Sequence, residues 1–238
     1  MIKNFLKILA IFIFGAAGGI FADQIIWPYF VQRPLFYQYG LDQRPVYVTE
    51  RKEITIQENT ALEDAVEKTG KSVIAVKTIT KDKKTLNGSG LIISSDGLVV
   101  TLADLVPQGS DFSFFVDGKA VPFQILRRDL KENLALIKLE QTNLSTVGFS
   151  DASSIKLGER VFSIGTIFDG KDIQKMVDEG IIRALNEDLI RTNISEKDGL
   201  VSSPLFDIEG NFLGLNTADG NGEIITIPVS KIKQFTGL

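Results

Sequence analysis

The sequence predicts an all-β domain carried behind one apolar N-terminal helix, and three observations predict it. From about residue 70 onward, short apolar runs alternate with turn residues at close intervals, the pattern of many short strands. Ser95, Asp96 and Gly97, then Asp117 and Gly118, then Glu209 and Gly210, supply hairpin chemistry between those runs. Residues 8–22 read ILAIFIFGAAGGIFA, without a charge or a strongly polar group. Strands this short and this closely punctuated predict a barrel or a sandwich rather than a parallel sheet.

The apolar run follows Lys3 and Lys7, and extended to Ile26 it approaches ~30 Å as a helix. Asp23 and Gln24 then fall near the far surface, with Trp27, Tyr29 and Phe30 as an interfacial aromatic belt. Residues 1–26 are therefore expected to be a membrane anchor or, given the small residues Ala16, Ala17, Gly18 and Ala22, a cleaved signal peptide. Lysines before the span and none for a long stretch after it predict a single-pass cell-membrane protein. Its N-terminus is cytoplasmic and its domain lies on the extracytoplasmic side.

Residues 27–58 are expected to form an aromatic, proline-rich juxtamembrane segment. Tyr29, Tyr37, Tyr39, Tyr47, Phe30 and Phe36 alternate with Pro28, Pro34 and Pro45. Such rings seek a surface: the membrane, the chain's own domain or a neighbouring copy. Within the segment, residues 50–57 read as a charged, alternating edge strand. Thr60 and Glu63 then fit a capping box that opens a short helix to about Thr69, with Leu62, Ala65 and Val66 inward and Gly70 at its end.

Strands follow at 72–79, 90–93, 98–101, 112–116, 121–127 and 134–139. After a break near 142–151 a second set is predicted at 160–164, 180–185, 189–192, 204–207, 212–216 and 223–227.

Composition narrows the chemistry. The 238 residues contain no histidine and no cysteine. Disulfides, thiolate catalysis, Cys/His zinc sites and every Ser-His or Cys-His pair are therefore excluded. Lys and Arg number 26 against 30 Asp and Glu, a net charge of -4, so no basic field points to nucleic acid. Asp82, Asp96, Asp117, Asp169 and Asp219 are scattered in turns without EF-hand spacing, and no phosphate-loop motif occurs. Neither a metal nor a cofactor is expected.

Residues 87–101, NGSGLIISSDGLVVT, resemble the opening strands of the HtrA/Deg family of trypsin-like serine proteases. The likeness continues in order through 115–119, FVDGK, and 133–138, NLALIK. It runs on through 157–161, LGERV, with Ile164 and Gly165, and ends at 199–207, GLVSSPLFD, followed by Gly210, Gly214, Leu215 and Asn216. It covers about residues 70–232. The resemblance implies a chymotrypsin-type fold of two six-stranded antiparallel β-barrels, assigned to 59–147 and 148–238, with a cleft between them.

It also implies where a catalytic triad belongs. The family's V-T-x-x-H-V-V falls on 100–106, VTLADLV, and puts Asp104 at the histidine position. The family's D-L-A-V falls on 133–136, NLAL, and puts Asn133 at the acid. Its G-N-S-G-G-P-L falls on 199–205, GLVSSPL, and puts Val201 at the nucleophile. A valine has no proton to lose and no lone pair for attack, and a carboxylate is a poor base for a hydroxyl at neutral pH. Gly199, Ser202, Ser203 and Asn216 are the expected remnant of the peptide-binding and oxyanion loop.

The expectation is accordingly a catalytically inactive pseudoprotease, not an enzyme, that binds a protein or peptide by strand addition in the cleft. Two alternatives stay open. One is an active serine endopeptidase that uses Ser202 or Ser203, with Lys197 as base. The other is a structural oligomeric module. The resemblance further implies a homo-oligomer, a trimer built through aromatic N-terminal segments. The family also carries C-terminal PDZ domains. With 228–235, PVSKIKQF, reading as the helix that closes the protease domain, this chain is expected to lack one.

Overall fold

The computed structural model describes residues 2–31, 50–170, 172–195 and 199–238. These fall into two units, Met1–Glu53 and Ile54–Leu238. In the first, helix α1 spans Ile2–Phe21 and continues in wider π-helical turns over Ala22–Val31, with Pro28 inside them. Lys3–Pro28 is long and apolar enough to cross a membrane, a test of length and composition that a signal sequence also passes. Most of the aromatic strip, residues 32–49, lies outside the described residues.

Helix α2 spans Glu50–Gly70 and corrects two expectations. Residues 50–57 are helical rather than an edge strand, and Thr60 sits inside the helix instead of capping it. The alternation of Ile54 with Ile56 is brief, and the Glu, Arg, Lys and Gln around it lose little rotamer freedom in a helix. The second half of α2 matches expectation: Ala65 is buried, and Leu62 and Val66 pack on the main core.

The second unit holds two β lobes. The first comprises β1 (Val73–Ile79), β2 (Thr85–Ile92), β3 (Leu98–Leu102), β4 (Asp111–Val116), β5 (Lys119–Val121), β6 (Phe123–Asp129) and β7 (Leu134–Leu139). They form one seven-stranded sheet in the order β5-β4-β1-β2-β3-β7-β6. The segment predicted as a single strand at 121–127 divides at Pro122, which has no N–H to give a ladder. That division creates the short β5, which hydrogen-bonds only to β4.

The second lobe comprises β8 (Arg160–Asp169), β9 (Asp172–Leu185), β10 (Ile190–Thr192), β11 (Pro204–Asp207), β12 (Phe212–Ala218) and β13 (Ile224–Pro228). These close into a barrel in the order β10-β13-β12-β11-β8-β9. Helix α3, Val229–Thr236, then buries Val229, Ile232 and Phe235. The all-β architecture with two lobes thus stands, the second closed and the first a half-barrel.

The two lobes share one core. Phe114 of β4, Phe162 of β8, Phe206 of β11 and Phe212 of β12 are all fully buried in the same cluster. Inside the second barrel a separate cluster gathers Val161, Ile182, Leu200, Leu205 and Leu213. The β8–β9 ribbon is longer than its apolar pattern predicts. Its far end packs on the first lobe, where Phe168 meets Phe115 edge-on at 5.8 Å and Lys77 Nζ lies 5.8 Å from the Phe168 ring.

Candidate functional site

Two of the three residues expected at triad positions, Asp104 and Asn133, lie together. Strand β3 ends in a 3-10 turn, Ala103–Leu105, that exposes Asp104. Just before β7, Asn133 adopts a left-handed conformation with φ 54, which asparagine tolerates better than most residues. The Asp104 N–H donates to Asn133 Oδ1 at 2.9 Å, and the Ala103 N–H donates to the Asn133 carbonyl at 3.1 Å. From there Asn133 Nδ2 reaches Thr217 Oγ1 of β12 at 3.4 Å. Asn133 therefore acts as a bracket: it fixes the Asp104 turn and ties it to the second lobe. The Asp104 side chain itself faces solvent.

The third residue, Val201, sits in the turn before β11, half-buried against the shared core. On either side the backbone takes left-handed conformations, with φ 84 at Gly199 and φ 70 at Ser202. Gly199 needs to be glycine on two counts: its positive φ, and the Ile167 and Met176 side chains that a Cβ would meet. Facing it, Gly165 of β8 lies so close that a Cβ there would overlap the Gly199 carbonyl.

Ser202 and Ser203 are 1% and 0% exposed, so neither hydroxyl faces a substrate. Ser202 Oγ accepts from the Ser89 N–H of β2 at 2.7 Å. Gly88 makes room for it, since a Cβ at that position would meet both Ser202 Oγ and Leu105. The Ser89 hydroxyl continues the contact to Thr166 Oγ1 at 3.0 Å, and Thr166 Oγ1 donates to the Gly88 carbonyl at 2.8 Å.

A second buried network surrounds Asn216. Its Nδ2 donates to Ser163 Oγ at 2.8 Å and to Ser203 Oγ at 3.1 Å, while its Oδ1 accepts from Thr226 Oγ1 at 2.7 Å. Ser203 Oγ also donates to the Leu200 carbonyl at 2.6 Å. The partners of both serine hydroxyls are thus backbone groups, an amide and other hydroxyls; no base stands beside either among the described residues. Lys197, the proposed partner base, lies outside the described residues.

Sequence reasoning named Ser202, Ser203 and Asn216 and missed Ser89, Ser163, Thr166 and Thr226. Their signal is a hydroxyl residue interrupting an apolar or glycine-flanked strand, as in GSG at 88–90 and VFSIGTI at 161–167. One ionisable group lies near this junction: Lys175 of β9 donates to the carbonyl of Gly70 at the end of α2. Burial holds its ammonium below the usual lysine pKa, against the opposing charge of Asp117.

With that geometry in place, comparison with known proteins identifies the class. A family model described as a trypsin-like peptidase domain matches residues 88–215. The chain belongs to the trypsin-like peptidase family. Within it the chain is HtrA-like, similar to proteins named probable periplasmic serine endoprotease DegP-like. The Halomonas elongata relative is 31% identical over 139 residues, 55% of this chain and 29% of that protein. The Chlamydia pneumoniae relative is 31% identical over 159 residues, 62% of this chain and 32% of that protein. The chain thus spans under a third of the length of these relatives. Among solved structures, an HtrA-type protease AlgW with tripeptide superposes with a TM-score of 0.66 at 24% identity, over 74% of this chain and 62% of that one.

These findings correct one expectation. The chain was expected not to be an enzyme, on the strength of Asp104, Asn133 and Val201. The family it belongs to is a peptidase family, and its relatives are named serine endoproteases. The residues at those positions still constrain chemistry: in a chain without histidine, an imidazole base is not available to any reaction.

Proposed function

We propose that this chain is an extracytoplasmic, membrane-held member of the HtrA-like peptidase family that engages extended segments of protein or peptide at the junction of its two lobes. Lys3 and Lys7 in the first turns of α1, ahead of its apolar run from Ile8, support a cytoplasmic N-terminus, and the periplasmic naming of the relatives supports export.

The observation that carries the binding reading is an open strand edge. The Asn216 N–H donates to the Ser203 carbonyl, and the Ser202 N–H donates to the Asn216 carbonyl, both at 2.9 Å. Two residues further along, Ala218 turns its N–H and C=O to the same side, beyond the start of β11 at Pro204. No strand among the described residues pairs with it there, and the residue is exposed. An extended segment laid along this edge would pass the Gly199–Ser202 turn and approach the Asn133–Asp104 bracket. Backbone hydrogen bonds supply affinity in such strand addition, and flanking side chains supply selectivity.

The test is binding of a peptide library to the full chain in detergent micelles, repeated with Ala218→Pro. Proline removes the edge N–H without touching the buried networks. Binders that lose affinity at least about tenfold in Ala218→Pro support the reading, the loss expected when a main-chain hydrogen bond goes. Binders indifferent to the change, or none at all, reject it.

A further inference from the structure

The β9 strand carries an edge of its own, on the side away from β8, that no strand among the described residues pairs along Asp172–Gly180. Along Asp172–Ile181 it pairs residue for residue with β8, while β10 meets it only at Ile182, Ala184 and Leu185. Which groups face the unpaired side follows from Ile181, whose N–H donates to Asn193 Oδ1 at 2.6 Å and whose carbonyl accepts from the Asn193 N–H at 3.3 Å. The register with β8 is unbroken from there back to Asp172. Glu179, Val177, Lys175 and Ile173 therefore direct their backbone groups outward in alternation. The Glu179 N–H shows this directly: it turns back to Asp178 Oδ1 at 2.9 Å.

Outward-facing side chains complete the picture. Val177 is 42% exposed, a large aliphatic group where the edge is open, and Ile181, equally exposed, marks where Asn193 closes it. Such an edge is a template for another strand. The sequence along it specifies which one. Read about Val177, the outward residues Ile173, Lys175, Val177, Glu179 and Ile181 are antisymmetric in charge and symmetric in apolarity. An antiparallel copy centred there sets Val177 against Val177 and each Lys175 against a Glu179, and the ladder stops at Ile181, where Asn193 already holds the edge. Shifting the centre to Asp178 puts that carboxylate against itself, and shifting it to Met176 puts Ile173 against Glu179; both forfeit the complementary pairs.

We propose that β9 is a self-association edge, and that a second copy of this chain adds its own β9 antiparallel through a two-fold axis at Val177. The contact is isologous, so one patch serves both partners. About six backbone hydrogen bonds form, two at the Val177 pair and two at each Lys175–Glu179 pair, where the Glu179 N–H exchanges Asp178 Oδ1 for the new strand. The barrels of the two copies become one continuous sheet. Lys175 keeps its Gly70 contact, since an ammonium has further N–H groups to offer, and Glu179, whose Oε2 bridges to Arg160 of β8 at 3.0 Å, meets it with its other carboxylate oxygen.

The chain has no cysteine, which makes the test direct. Val177→Cys in the full chain, in detergent micelles under mild oxidant, places two thiols on facing residues whose Cα separation of ~5.5 Å suits a disulfide. The control is Leu130→Cys, 80% exposed on the first lobe, which reports random collision. The expected result is disulfide-linked dimer formed at least tenfold faster from Val177→Cys than from Leu130→Cys, the factor separating a facing pair from collision. Adding Lys175→Glu sets like charges opposite each other twice and should slow the reaction about tenfold. Adding Glu179→Lys as well should restore it. The double exchange also lacks the Lys175 contact with Gly70 and the Glu179 bridge to Arg160, so its recovery separates register from loss of fold, which circular dichroism checks in parallel. Val177→Cys no faster than Leu130→Cys overturns the proposal. So does cross-linking indifferent to Lys175→Glu, or an intact double variant that fails to recover.

Discussion

Ser202 and Ser89 stand 113 residues apart in sequence, and the hydroxyl of the first accepts the amide of the second at 2.7 Å across the two lobes. To make that bond Ser202 holds a left-handed backbone, φ 70, that suits glycine and strains any residue with a Cβ. The side chain offsets the strain by satisfying a fully buried N–H that would otherwise be orphaned.

Substitution at Ser202 should separate those two contributions. Ser202→Ala keeps the strained backbone and orphans the Ser89 amide. Ser202→Gly orphans the same amide and relaxes the backbone. Both variants should be less stable than the parent by about 1–3 kcal/mol. The glycine variant should be the milder of the two by about 1 kcal/mol. Urea unfolding of the full chain in micelles measures the order; an alanine variant as stable as the glycine variant would remove the strain from the account.

Gly88 belongs to the same contact. A methyl there meets Ser202 Oγ and Leu105, so Gly88→Ala should cost about 1–3 kcal/mol. Removing the obstructing hydroxyl should recover part of that loss. The pair Gly88→Ala with Ser202→Gly is therefore expected to be less destabilised than the sum of the two single changes, by at least about 0.5 kcal/mol. Additivity in the cycle would mean that Leu105 alone sets the cost.

How far this contact was legible beforehand depends on what each residue signals locally. The strand at 134–139 and the one at 204–207 are short apolar runs bounded by turn residues, and both are found at those bounds. Residues 50–57 were misjudged because two isoleucines two apart look like alternation, whereas helix propensity acts through the whole charged stretch around them. The β8–β9 ribbon runs long because its hydrogen bonds come from a partner 3 to 21 residues away, and no apolar pattern is needed to hold a ladder that the turn at Asp169 and Asp172 already aligns. At the site, one-letter likeness located Asp104, Asn133, Val201, Ser202 and Ser203. It carried no sign that Ser202 and Ser203 point inward, because burial of a hydroxyl is decided by partners such as Ser89 and Ser163 from distant strands.

Electrostatics away from the junction offers a pH-resolved check. The Lys138 ammonium, 2.5 Å from Asp96 Oδ2, and the hydroxyl of Ser94 together hold the Asp96 carboxyl below its ordinary pKa. A carboxyl depressed in the folded state contributes stability above its unfolded pKa and loses that contribution as pH falls through the folded one. Asp96→Asn should therefore lower the urea midpoint at neutral pH, more at low salt than at high because the pair is exposed. As pH falls through the folded-state pKa, below the ordinary carboxylate range, the variant and parent curves should converge. A difference that persists unchanged into acid would assign it to the turn that Asp96 shares with Ser94 and Gly97, not to charge.

The last prediction joins the turn to binding. Gly199 combines φ 84 with close neighbours in Ile167 and Met176, so Gly199→Ala forces either a backbone change or a shift of both side chains. Its carbonyl lies against Gly165 of β8, where no side chain intervenes, and little slack exists for the shift. The backbone is thus expected to give, moving the turn that precedes Ser202 and with it the surface beside the open edge at Ala218. Ile167→Val trims one of the two crowding side chains and should restore part of what Gly199→Ala loses, both in urea midpoint and in affinity for peptides captured through the Ala218 edge. Recovery of stability without recovery of affinity would show that the turn's position, and not the packing beneath it, governs the edge. Recovery of neither would place the cost of the alanine in the positive φ alone.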